Sequence, residues 1–461
     1  MNKKENILII GAGLCGSLLA LRLAQRGYHV DIYESRSDLR KTDISAGRSI
    51  NLALSDRGLK ALRLAGVEEK AREICIPMKG RLMHDTASNT FESNYSGRNG
   101  EFINSISRGD LNGILLTEAE SHENVTIHFN NKCLGIEIEE KIATFESYQT
   151  KEQFTVKAEV IFGTDGAGSS LRKSYEKQFP EFKVSQEFLT HGYKELEIPA
   201  DANGNHLISK DHLHIWPRGD YMLIALPNMD GSFTVTLFLS YSDGEYNFDN
   251  LITKEKITEF FEKDFPDTLQ LIPDILKEFE INPTGKLGTV KCEPWAYKGN
   301  TTLMGDSAHA IVPFYGQGMN ASFEDVVVFD EVLNEFEGNW EQVFSEFHKR
   351  RKIDTDAIAD LAIDNYYEMR DHVANPSFKV KRTIELDLEK NFPTEYFSKY
   401  SLVTFNEHIG YHEAMTKGRA QDKALLAMVE GNEVSTSLEM SKEALKIVFK
   451  KVQEETNKML K

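Results

Sequence analysis

A chain of 461 residues exceeds what one hydrophobic core ordinarily organises, so two lobes or one large composite fold are expected. Its composition, 40% hydrophobic and 10% aromatic, is that of a folded protein. A net charge of −18 with no offsetting basic patch argues against a nucleic-acid partner, because a phosphate backbone would repel it.

The N-terminus, MNKKENILIIGAG, passes from a few charges directly into a strand and a glycine loop, so no cleaved signal peptide is expected. No apolar run reaches the roughly 18 residues of a membrane span. Cys15, Cys75, Cys133 and Cys292 lie far apart and form no CxxC pair, which points away from a zinc site or disulfide framework and toward a reducing compartment. The expectation is a soluble, cytoplasmic protein whose oligomeric state the sequence leaves open.

In chain order, residues 6–34 read strand, glycine turn, helix, strand: NILII, GAGLCG, SLLALRLAQRG, YHVDIYE. This is a βαβ unit of about 30 residues. Gly11, Gly13 and Gly16 form GxGxxG between strand and helix, where glycines permit a tight turn, a close approach of a pyrophosphate and helix-on-strand packing. Glu34 closes the second strand, placed to accept hydrogen bonds from ribose hydroxyls. An acid there disfavours NADP at this site and leaves NAD or FAD.

Residues 160–172, VIFGTDGAGSSLR, put Asp165 between glycines at the end of another strand, ahead of a helix. The stretch 205–240 contains three strand-like runs split by RGD and NMDGS, an expected antiparallel meander. NTTLM then reads as a strand that ends in GDSAHAIVPFYGQGMN (305–320), with Asp306 in the same strand-end setting as Asp165 and a helix expected from about Ala321. Helical patterning follows, including an amphipathic stretch from Val343 to Val373 and a tail from Leu438 to Leu460 whose apolar stripe is expected to pack on the body. Two acid-bearing glycine turns beyond the first suggest one long cofactor held at several points. His212 with His214 and His408 with His412 have ligand-like spacing but no acid or cysteine set completing a site, so no metal is expected. His309 is read as structural.

Together these three motifs resemble those of the aromatic-ring FAD-dependent monooxygenases of the para-hydroxybenzoate hydroxylase type. GRSINLALSDRG (47–58), HGYKEL (191–196), LHIWPRGDYMLIALPN (213–228) and VPFYGQGMN (312–320) resemble more closely the kynurenine-hydroxylating branch of that family. The resemblance runs from about Ile7 to Met369, and more loosely through Tyr400. It implies an α/β fold: a Rossmann-like FAD-binding lobe (1–180 and 280–375) interwoven with an antiparallel-sheet substrate lobe (181–279 with part of 76–105), plus C-terminal helices (376–461). It also implies FAD as bound cofactor, NADPH as transient co-substrate, and hydroxylation of L-kynurenine to 3-hydroxykynurenine with dioxygen by way of a flavin hydroperoxide.

Carried over residue by residue, the resemblance makes Arg81 and Tyr95 the grip on the substrate carboxylate. It makes Asn365 and Tyr400 further substrate contacts and Phe238 and Phe314 apolar pocket walls. Arg36 and Arg108 become FAD contacts, as do Gly11, Gly13, Gly16, Glu34 and Asp165. Asp306 becomes the ribityl ligand, and Gly318, Met319 and Asn320 the backbone and helix end beside the flavin ring. No side chain is assigned as catalytic, since the flavin carries the chemistry. Read without the resemblance, Arg81 is a surface charge, Tyr95 a loop aromatic, the two phenylalanines core, and Arg36 part of a solvated salt bridge. Tyr315 stands where relatives carry Phe or His, which alters the expected pocket edge. The family's animal members carry a C-terminal membrane anchor, and no such apolar segment occurs here. Two other activities stay open: a flavin hydroxylase for another aromatic acid, and a flavin reductase or dehydrogenase that inserts no oxygen.

Overall fold

A computed structural model describes residues 5–41, 51–371, 376–431, 434 and 440–461 of the chain. Residues 47–50 of the GRSINLAL motif, Val373 and Leu438 lie outside these. The chain divides into two compact units, one of residues 1–75, 106–188 and 288–359, the other of 76–105, 189–287 and 360–461.

The first unit is built on a parallel sheet. Strand Asn6–Ile10 pairs in parallel with His29–Tyr33 on one side and Val160–Gly163 on the other, and Val160–Gly163 pairs in parallel with Thr301–Leu303. Val125–His128 extends the sheet beyond His29–Tyr33, again in parallel, and Ala296–Tyr297 closes the opposite edge antiparallel. NILII reads as an unbroken apolar run because helices cover both faces of such a sheet, and Ile7 through Ile10 are all buried. Helix Leu14–Gln25 is buried along almost its whole length, from Cys15 to Ala24, which is why its sequence shows little amphipathic contrast.

The same unit holds a buried ionic network. Arg351 on helix Trp340–Asp371 donates to Asp325 Oδ1 (2.8 Å) and Glu324 Oε2 (2.6 Å), and Arg57 donates to Glu324 Oε1 (2.6 Å). Asp325 Oδ2 accepts from the Gly305 N–H (2.9 Å) and meets His309 Nε2 at 2.6 Å. Burial alone would raise both carboxyls, yet Arg351 and Arg57 beside Glu324, and His309 and Arg351 beside Asp325, hold them below the ordinary carboxylate range.

The second unit carries the expected meander. His212–Pro217, Met222–Pro227 and Phe233–Ser240 pair antiparallel in sequence order, and Lys183–Ile198 adds beyond Phe233–Ser240. Gly80–His84 joins the other side in parallel with His212–Pro217, and Thr90–Asn94 pairs antiparallel with it. Side chains alternate between faces along a strand. Trp216, Leu223, Ala225, Val235, Leu237 and Leu239 therefore fall on one face, where they form a core with Phe260, Phe261 and Phe265. The opposite face holds Arg81 and Met83, the latter registered with Ile215, then Ile224 and Met222, the latter registered with Phe238. Helices Pro376–Asn391, Lys399–Thr404, Tyr411–Glu430 and Lys442–Met459 complete the unit. Their apolar cluster includes Leu388, Leu425, Leu445, Val448 and Val452, so the stripe of the last helix is packed. No helix of the described residues is long and apolar enough to cross a membrane.

Replacing Arg351 by Met should leave Glu324 with Arg57 alone and Asp325 with His309 and the Gly305 N–H, lowering stability at pH 7 by about 3 kcal/mol. Because both carboxyls have folded-state pKa values below their unfolded ones, the wild-type advantage is present above the ordinary carboxylate range and lost as pH falls through the folded values. Thermal unfolding at several pH values should show the gap between the two proteins closing below about pH 4; a gap independent of pH would contradict the pairing.

Candidate functional site

Three loops leave the same edge of the first unit's sheet. In the parallel register Ile10 lies beside Gly163, and Gly163 beside Leu303, so the segments that follow, Gly11–Gly16, Thr164–Gly168 and Gly305–His309, emerge side by side. Ligands of open parallel sheets bind beyond such carboxyl ends. Gly11 has φ +99°, and a Cβ on it would sit 2.7 Å from the Thr164 carbonyl oxygen, so the first two loops abut through bare backbone. Gly13 caps helix Leu14–Gln25 without any side-chain hydrogen bond, and open space surrounds the position where its Cβ would lie. An uncapped helix start facing open space is a seat for a phosphate group.

Acids ring this seat. Glu34 is buried and accepts from Ala12 N–H (2.8 Å) and from Arg36 N–H and Nε–H (2.9 and 2.8 Å). Burial works against its charge, but the hydrogen bonds and charge of Arg36 prevail and keep its carboxyl below the usual range. Arg36 thus forms the local ion pair that its sequence context allowed. Asp165 Oδ2 accepts the Ser170 N–H at 2.5 Å while Oδ1 is buried without a hydrogen-bond partner, and burial pushes the carboxyl up. An orphaned buried acceptor of this kind suits a hydroxyl of a sugar or sugar alcohol. Asp306 is exposed although Ser307, Ala308 and His309 beside it are buried, so the turn presents this one acid outward. Arg108 is exposed at the first position of helix Arg108–Glu120.

Helix Gly318–Glu335 starts three residues earlier than the sequence suggested. Gly318 is a poor helix former, yet as the first residue it meets little penalty there, and no side chain caps this terminus. Asn320 has its carboxamide committed: Oδ1 accepts Ser55 N–H (3.0 Å), and Nδ2 donates to Ala53 O (2.8 Å) and Gly316 O (2.9 Å). What Asn320 and Met319 can offer a ligand is backbone N–H at a helix end. These loops and helix starts fit FAD: an unobstructed pyrophosphate seat, three acids for hydroxyls, and a positive helix end for the ring.

In the second unit, Arg81, Tyr95 and Tyr400 come together from positions far apart in sequence. The Tyr95 and Tyr400 rings stack at 5.4 Å with 9° between planes, and the Arg81 guanidinium carbon lies 5.5 and 4.9 Å from their centres. Burial pushes both phenols up, more than Arg81 draws them down, so each remains a neutral O–H donor. The Tyr95 hydroxyl is buried and meets no partner at bonding geometry. A fixed cation beside two protonated phenols is a receptor for an anion such as a carboxylate. Phe238 shares the sheet face of Arg81 and is buried, and Asn365 is buried on helix Trp340–Asp371 with Nδ2 3.3 Å from Met369 Sδ. Phe314 and Tyr315 belong to the first unit, buried in the short turn Pro313–Tyr315.

Among the described residues no His, Cys, Asp and Glu group is arranged to hold a metal. His214 instead bonds His84 at 2.9 Å, burial drives it down to about 4, and it is neutral at pH 7.

Two further residues fasten the loops together. Asn112 donates to Ala12 O (3.1 Å) and accepts from Ser17 Oγ (3.2 Å), fastening helix Arg108–Glu120 to the glycine loop. Arg172, fully buried, donates to Ser307 O (2.7 Å) and to Ala167 O, joining the Asp165 loop to the Asp306 loop. The signal for Arg172 was present: a lone cation in the small-residue run GTDGAGSSLR.

Comparison with known proteins agrees with this geometry. The family described as "FAD binding domain" matches residues 4–351. Kynurenine 3-monooxygenase of Myxococcus xanthus is 45% identical over 429 residues, covering 93% of this chain and 92% of the relative. The protein of the same name from Dictyostelium discoideum is 43% identical, covering 93% and 94%. Among solved structures, the chain shares its fold with 2-methyl-3-hydroxypyridine-5-carboxylic acid oxygenase (TM-score 0.65, 20% identity, 82% and 96% covered). It also shares it with p-nitrophenol 4-monooxygenase of Pseudomonas putida (TM-score 0.64, 15% identity, 85% and 95% covered).

Gly16→Ala would place a Cβ 2.1 Å from the Gly11 carbonyl oxygen and 2.5 Å from Thr164 Oγ1. The substitution should abolish flavin retention through gel filtration, read from visible absorbance, with helix content by circular dichroism little changed. Flavin held at wild-type stoichiometry would contradict the tight packing of the first loop.

Proposed function

The chain belongs to the FAD-binding-domain family that includes the kynurenine 3-monooxygenases, and on that premise we propose that it hydroxylates L-kynurenine to 3-hydroxykynurenine. NADPH and dioxygen are the co-substrates, FAD is the bound cofactor, and NADP⁺ and water are the other products. The observation that carries the substrate reading is the trio of Arg81, Tyr95 and Tyr400, Tyr95 buried and the other two half-buried, two neutral phenols and a cation able to hold the carboxylate of an aromatic amino acid.

In this reading the first unit (residues 1–75, 106–188 and 288–359) binds FAD and the second supplies the substrate grip. Gly13 and the helix start behind it seat the pyrophosphate, Glu34 accepts from ribose hydroxyls, and Asp165 and Asp306 hold the remaining hydroxyls. The first-turn N–H groups at Gly318–Asn320 oppose negative charge on the reduced ring. FAD, when bound, takes hydride from NADPH and delivers one oxygen atom of dioxygen. The protein's own tasks are to orient the substrate and exclude water. Arg81 fixes the amino-acid end, and Phe238, on the same sheet face, is an apolar wall for the ring. The substrate's own aniline nitrogen activates the adjacent ring carbon, so no side chain needs to remove a phenolic proton. The same reading makes a small aromatic amino acid its partner and the cytoplasm its compartment.

NADPH oxidation by the flavin-loaded protein should accelerate on adding L-kynurenine, with a product one oxygen heavier. Peroxide without a heavier product would send the search to other aromatic acids. Arg81→Ala should raise KM for L-kynurenine about 100-fold while FAD occupancy stays unchanged, the loss expected for a charge-assisted pair. An unchanged KM would remove Arg81 from the substrate site.

A further inference from the structure

Tyr95 and Tyr400 lie on separate segments, and one buried side chain touches both segments. Glu389, on helix Pro376–Asn391, is fully buried. Its Oε2 accepts the Gly97 N–H (2.8 Å) and the Ser96 hydroxyl (3.1 Å), the two residues that follow Tyr95. Its Oε1 accepts the Ser398 N–H (2.9 Å). Ser398 is the N-cap of helix Lys399–Thr404, whose second residue is Tyr400.

The surroundings leave this arrangement little slack. A Cβ on Gly97 would lie 2.0 Å from the Leu386 carbonyl oxygen, so the segment after Tyr95 rests directly on the backbone of the helix that bears Glu389. One turn before Leu386, Arg382 donates from Nη2 to the carbonyls of Asn94 (2.8 Å) and Tyr95 (2.9 Å). Arg98 donates to the Tyr396 carbonyl (3.0 Å), tying the same two segments a second time. Burial opposes the charge of Glu389, but the hydroxyl, backbone and Arg382 partners outweigh it and keep the carboxyl below its usual range.

We infer that Glu389 is a positioning residue for carboxylate recognition, its two oxygens setting the separation and stacking of Tyr95 and Tyr400 beside Arg81. The inference rests on the reading of those three residues as the carboxylate grip. Each bond to Glu389 falls only one or two residues from the tyrosine it governs, so a shift of either backbone passes to the ring. Misplacement of a binding group by an ångström is enough to lose recognition. The role needs an acceptor on both sides, which a carboxylate provides and a carboxamide does not. Glu389→Gln therefore preserves shape while turning an NH₂ group toward either the Gly97 or the Ser398 N–H.

The test compares L-kynurenine with its decarboxylated amine analogue in flavin-loaded wild type and Glu389→Gln. The variant should raise KM for L-kynurenine about tenfold, leave kcat within a factor of about two, and leave KM for the analogue unchanged. The preference for the carboxylated substrate then falls, a change that general loosening of the fold would not produce. Equal changes for both substrates, or none, would overturn the inference. If Glu389→Gln does not fold, Arg382→Gln, which releases the Tyr95 segment from the same helix, carries the same comparison with the same selective loss expected. Wild type that handles both substrates with one KM would overturn the grip reading and this inference with it. An unaltered preference in the variants alone overturns only the role of Glu389.

Discussion

Three adjacent parallel strands that end level with one another are the constraint from which the cofactor site follows. With Ile10 beside Gly163 and Gly163 beside Leu303, the three loops leave one edge together. Contacts through bare backbone become possible only where side chains are missing, which is the work of Gly11 and Gly16 against Thr164. The buried cations then lock what the strands have aligned. Arg172 bridges the second and third loops, and Arg351 holds Asp325, which in turn holds the Gly305 N–H. Arg351 is satisfied by two carboxylates and a carbonyl, the condition under which buried charge is tolerated, whereas Arg172 meets two carbonyls and leaves its Nε without a partner.

Buried charge has a different use in the second unit. Lys381 and Lys399 converge on Asp422 at 2.6 and 2.8 Å, tying the C-terminal helices to one another. Burial would raise the Asp422 carboxyl, but the two ammonium groups hold it far below the ordinary range. The Arg81, Tyr95 and Tyr400 trio, proposed to grip the substrate, by contrast keeps its phenols neutral by the same desolvation. The distinction matters chemically, because a phenolate beside Arg81 would satisfy the guanidinium internally and repel a carboxylate, whereas a phenol donates to it.

The cofactor unit was legible because its chemistry is local. GxGxxG, GTDGAG and GDSAH each place glycines and an acid within a few residues of a strand end, so periodicity and turn chemistry suffice to order them. The meander was legible for the same reason, through RGD and NMDGS between alternating runs. The substrate trio was not, since residues 81, 95 and 400 have no spacing that a helix or strand would impose. Only resemblance to a family named Arg81, Tyr95 and Tyr400. Asn112, Arg351 and Glu389 escaped altogether, because each acts through partners remote in sequence and none stands in a motif. The start of helix Gly318–Glu335 was placed late because glycine disfavours helix interiors, a penalty that hardly applies at the first turn.

Every role assigned above serves the insertion of one oxygen atom from dioxygen into an aromatic amino acid. Turnover of L-kynurenine with NADPH under ¹⁸O₂, followed by mass analysis of the product, tests it most directly. One ¹⁸O atom is expected in the new ring hydroxyl. NADPH consumption that leaves L-kynurenine unchanged, with all the label in peroxide, would contradict it.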